Sequence, residues 1–85
     1  MNSAEALALI RRAAVLGQIR LTKHARERMS ERGASVHDVR HSLANASRCA
    51  PAEGDRWRTT GLDLDGDELT AVVVIDGDVI VVTVF

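Results

Sequence analysis

The stretch Trp57–Phe85, "WRTTGLDLDGDELTAVVVIDGDVIVVTVF", decides the fold. It contains three runs rich in Val, Ile and Thr, "WRTTGLDL", "ELTAVVVI" and "DVIVVTVF", separated by Asp65-Gly66 and Asp76-Gly77. Asp-Gly between apolar runs predicts hairpins, because a type I′ turn needs positive φ at both central residues. The expectation is an antiparallel meander.

Two-residue turns assign every side chain to a face, since successive residues of a strand point to opposite sides. One face then gathers Leu62, Leu64, Leu69, Ala71, Val73, Ile75, Ile80, Val82 and Val84, and lies against helices. The other holds Trp57, Thr59, Thr70, Val72, Val74, Val79, Val81, Thr83 and Phe85, apolar but studded with threonines. A bulged three-residue turn would swap one strand between these faces. Three short helices do not blanket both, so part of the second face is expected to bind a partner chain, a twin subunit or a ligand, through Trp57, Thr70, Val72, Val81 and Phe85.

Upstream of the meander, "SRCAPAEGDR" (47–56) carries the only proline and reads as a loop or irregular strand. Before it the period becomes helical. Apolar residues at Leu7, Ile10, Ala14 and at Leu9, Leu16, with Asn2 or Ser3 as cap and Gly17 as stop, predict a helix over 3–16. "QIRL" is a short extended link. Thr22 and Gly33 then bound a second helix, and Ser35 with Asp38 three residues on is a capping box for a third, ending near Asn45. The fold class expected is α+β. About three N-terminal helices, spanning about 3–46, pack on one face of a C-terminal three- to four-stranded antiparallel sheet spanning about 57–85, all in a single domain, 1–85.

With 85 residues, 46% of them hydrophobic, the chain is near the size where one core suffices. One cysteine, Cys49, excludes an internal disulfide, and no apolar run approaches the ~20 residues of a membrane span. The amino end lacks the basic lead of a secretory signal, so a cytoplasmic protein is expected. The net charge of −1 hides a division: residues 1–58 hold all eleven Lys and Arg against six acids, and residues 59–85 hold six acids and no base.

The basic part is concentrated in "TKHARERMSERGAS" (22–35). On a helix advancing ~100° per residue, Ala25 and Met29 make a buried line, and His24, Arg28 and Arg32 make the line beside it. His24 is placed to take a proton as a general base, while Arg28 and Arg32 can grip a phosphate by paired hydrogen bonds. The plainer alternative has the arginines lying over the sheet edge by their stems. Other constellations point to no metal. His37, His41 and Cys49 lack a fourth zinc ligand, and Asp63, Asp65 and Asp67 lack the glycine position and closing glutamate of a calcium loop.

The pattern "LTKHARERMSERGASVHDVRHSLANA", followed later by "VVVIDGDVIVVTVF", resembles a bacterial family known as domain of unknown function 4258, over most of residues 21–85 with the first helix outside it. That family is similar in layout to the RelE and ParE toxins, which commonly cut messenger RNA or poison gyrase and are held inactive by a cognate antitoxin. The resemblance implies a toxin of a toxin–antitoxin pair, a small metal-independent endoribonuclease without cofactor, with His24 as base or acid, Arg28 and Arg32 as phosphate clamp and Thr83 as an orienting hydroxyl. Phe85 stands where such toxins often carry a tyrosine. Thr83 falls on the face away from the helices, so it meets His24 only at the sheet's rim. The alternative is a non-catalytic interaction module that dimerises or docks a partner through the open sheet face. A third reading is a nucleic-acid binder without catalysis, with salt-sensitive affinity.

Overall fold

The computed structural model describes residues 1–85. Three helices and five strands follow in the order α1 (Ser3–Leu16), β1 (Ile19–Leu21), α2 (Lys23–Arg32), α3 (Val36–Ala44), β2 (Arg48–Pro51), β3 (Arg56–Leu62), β4 (Glu68–Asp76) and β5 (Asp78–Val84). The class is α+β, helices first.

Each helix is bounded by its sequence signals. The Asn2 side chain accepts from the Glu5 amide (2.8 Å) and the Glu5 carboxylate accepts from the Asn2 amide (3.0 Å), a capping box that opens α1. Thr22 caps α2 by accepting from the Ala25 amide, and its hydroxyl donates to the Val82 carbonyl, fastening the helix start to β5. Ser35 and Asp38 form the box of α3. Gly17 and Gly33 close α1 and α2 with φ of 74°, a left-handed conformation that favours glycine. Arg11 donates to the Ala46 carbonyl just beyond α3, and Arg40 to the Ala14 and Val15 carbonyls at the end of α1, so the two helices run antiparallel and each supplies the other's terminal cation.

The sheet order is β1-β5-β4-β3-β2. β3, β4 and β5 form the expected meander, and two strands extend it. β2, within the stretch read as a loop, pairs antiparallel with β3, and its Pro51 is tolerated because β2 is an edge. β1, the "QIRL" link, pairs parallel with β5, so the sheet is mixed and five-stranded instead of antiparallel with three or four strands.

The two-residue turns are corrected. Leu62 pairs with Glu68, leaving residues 63–67 as the loop. The buried Asp63 carboxylate accepts the amides of Asp65 and Asp67, each at 2.9 Å, and organises this longer connection around Gly66. The register of β3 therefore moves by one residue. Trp57, Thr59 and Gly61 turn to the helices, and Leu62 and Leu64 turn to solvent. At the second turn Ile75 pairs with Val79 across residues 76–78, so Val79 and Val81 enter the core and Ile80 and Val82 leave it. A bulge at Val72/Val73 shifts the register by one more residue, pairing Val72 with Thr83 and Ala71 with Val84, so within β5 only Thr83 and Val84 return to the faces expected for them.

The core lies between the helices and this one face of the sheet. It joins Ala6, Ile10, Ala14, Ala25, Met29, Val39 and Leu43 to Leu69, Ala71, Val73, Val79, Val81 and Val84. Leu9 and Leu16, expected as a second apolar row of α1, are exposed. Buried hydroxyls are satisfied: Ser42 donates to the Leu69 carbonyl at 3.0 Å and Thr59 to that of Ala71 at 3.4 Å. α3 lies close on β3 at Gly61, where a Cβ would stand 2.1 Å from the Ser42 carbonyl oxygen.

Candidate functional site

The charged line of α2 is positioned by its apolar one. Ala25 and Met29 are buried against the sheet, with α2 lying along β5, and His24, Arg28 and Arg32 follow on the neighbouring side. Arg32 donates to the Glu68 carbonyl, beyond the last backbone bonds joining β4 to Phe85, and its guanidinium lies 3.9 Å from the buried Asp63 carboxylate. It therefore braces the end of α2 against β4 and the following loop. Arg28 pairs with Glu31 on its own helix at 3.2 Å. Arg28, Glu31, Arg32, Val84 and Phe85 line one shallow hollow. His24 is solvent-exposed and does not line it, and Thr83 projects from the opposite face of the sheet, opposite Val72. Of the four residues named for catalysis, the structure brings together Arg28 and Arg32.

The second candidate is the sheet face that carries no helix. From β4 it presents Thr70, Val72 and Val74, from β5 Ile80, Val82 and Thr83, and from β3 Arg56, Arg58 and Thr60. Val72, Val74, Ile80 and Val82 are half-buried by one another. Thr60 and Thr70 share a hydrogen bond of 3.3 Å across the strands. Arg58 holds its guanidinium carbon 5.2 Å from the ring centre of Phe85, which continues the face beyond β5. Arg48 on β2 pairs with Glu68 at 3.3 Å, and Arg20 on β1 stands opposite Ile80.

Of the five residues expected to bind a partner, Thr70, Val72 and Phe85 lie on this face. Trp57 and Val81 do not: Trp57 packs half-buried against the core and Val81 is completely buried within it, because the two longer turns move both by one position. The arginines of the open face were missed for the same reason. Once β3 is shifted, Arg56 and Arg58 change sides with it.

Several other polar groups are tied to the backbone. Asp38 is held below the usual carboxylate range, first by the Ser35 amide, then by the Leu64 amide, the Ser35 hydroxyl and the charge of Arg32. Oxygens of Asp38, Asp63 and Asp65 lie within 4.8 Å of one another, and the first two already receive backbone amides. His41 has its Nδ1 2.9 Å from the Leu62 carbonyl. Burial pushes the Cys49 thiol up, away from the reactive thiolate. No helix is long and apolar enough to cross a membrane.

Compared with known proteins, residues 21–85 match the family model described as domain of unknown function (DUF4258). No curated protein and no solved structure matches the chain.

Proposed function

The chain belongs to the family of domain of unknown function 4258, and from that premise we propose that it is a non-catalytic interaction module that docks a partner chain through the open face of its sheet. The observation that carries this reading is the placement of all three helices on one side, with Val72, Val74, Ile80 and Val82 uncovered on the other. A contiguous apolar patch of this kind, set among threonines and arginines, matches the apolar core and polar rim of docking surfaces. Sedimentation of the purified protein tests it. A dimer or a stoichiometric complex that Val72→Asp dissolves, with an unchanged circular dichroism spectrum, supports the proposal. Identical assembly by wild type and variant sinks it.

A second reading, the toxin-like ribonuclease paired with an antitoxin, is favoured by the hollow that Arg28 and Arg32 share with Phe85. There Arg28 would hold a phosphate of RNA while His24 takes the 2′-hydroxyl proton; the oxygen then attacks the adjacent phosphorus and the cation stabilises the added charge. The P–O5′ bond breaks, so that the 5′-oxygen leaves with a proton from water or from the His24 imidazolium and a 2′,3′-cyclic phosphate remains. Induced expression in a bacterial host separates the readings. Growth arrest with RNA decay, lost in His24→Ala and in Arg28→Ala, is expected of the toxin. A harmless wild type, or equal harm from His24→Ala, removes it.

A further inference from the structure

β1 is an edge strand, hydrogen-bonded to β5 alone. In that parallel ladder the Gln18 carbonyl accepts from Val79 at 3.0 Å and the Thr22 amide donates to Val81 at 3.1 Å. Alternation along the strand then turns the backbone groups of Gln18, Arg20 and Thr22 inward and those of Ile19 and Leu21 to the free edge. Their amides and carbonyls form a short template for another strand.

The surroundings of that edge indicate what fits it. On the helix side Ile19, Leu21, Val36 and Val39 line a hollow of about 270 Å³ together with Arg26 and Arg40. On the other side Arg20 is exposed. None of the hollow's residues is acidic, and the first turn of α2, which starts beside the same edge, contains no acid. We infer that the free edge of β1 takes an extended acidic segment of a partner protein as an added strand. Side chains of such a segment alternate between faces: apolar ones enter the hollow, and acidic ones face Arg20, with Arg26 adding to the attraction. A second copy of this chain suits the edge less well, because pairing β1 with itself brings Arg20 near its own counterpart.

The probe is a fluorescent heptapeptide of alternating aspartate and leucine, blocked at both ends, with a lysine–leucine peptide as control. The expected result is saturable binding of the acidic peptide that weakens with added salt, slowed amide exchange at Ile19 and Leu21 but not at Val72 or Val74, and roughly tenfold weaker binding in Arg20→Glu and in Arg26→Glu. Absence of binding, equal binding of the lysine peptide, or binding without protection of Ile19 and Leu21 overturns the inference. So does protection of those two amides in the protein alone that rises with its concentration, which assigns the edge to a second copy.

Discussion

Along β4 two sets of side chains alternate, Leu69, Ala71 and Val73 on one face and Thr70, Val72 and Val74 on the other. Both sets are aliphatic or β-branched. The first is at most 1% exposed, and the second is half-buried with no helix above it. Composition therefore does not decide which face of this sheet becomes core. The decision is made by register, which the turns set, and by the helices, which close over whichever face their apolar lines can meet.

The sharpest way to break that comparison is to put the same charge on each face. Val81→Asp leaves an unpaired carboxylate inside the core and is expected to cost at least about 3 kcal/mol, read by urea denaturation. Val72→Asp, one face away, should stay within about 1 kcal/mol of wild type while it abolishes docking. Equal effects would mean that the two faces are alike in energy. Gly61→Ala probes the close approach of α3 to the core face. Its methyl would meet the Ser42 carbonyl, backbone against backbone, so a loss of about 1–3 kcal/mol is expected from the same denaturation curve.

The smallest effect comes from Asp38. Its folded-state pKa is depressed by the amides of Ser35 and Leu64. The stability it contributes is thus full above the unfolded-state pKa and is lost as pH falls through the lower folded-state value. Thermal melts of Asp38→Asn should show a lower midpoint at neutral pH and a flatter decline in acid than wild type. A parallel decline in both would assign the acid sensitivity to other carboxylates.

The helices were legible because each carries its own punctuation: the Asn2, Thr22 and Ser35 caps and the left-handed Gly17 and Gly33 lie where the sequence places them. Ala25 and Met29 were legible as a buried line for the same local reason. The sheet was legible in kind but not in parity. Gly66 and Gly77 do adopt positive φ, but a glycine in that conformation serves loops of several lengths, and only the Asp63 side chain, by gathering the Asp65 and Asp67 amides, sets the first at five residues. Each one-residue error moves a whole strand to the other side, which is how Trp57 and Val81 were expected outside. The candidate sites depended on the same parity. The α2 line was visible from local spacing, whereas the open-face arginines and the free edge of β1 rest on pairings between residues distant in the chain, and local patterns do not carry those.

The pairing of β1 with β5 also bears on the order of folding. The Thr22 hydroxyl bonds a carbonyl sixty residues farther along the chain, so this join closes a far larger loop than any hairpin in the meander. A ribosome releases α1, β1 and α2 well before β5 exists, and until then Ala25 and Met29 have no strand to cover. The meander, whose partners are close in sequence, can form as soon as it emerges; β1 and the helices then settle onto it. The size of that loop predicts that β1 pairs last, which pulse-labelled amide exchange at Arg20 and Thr22 during refolding would read.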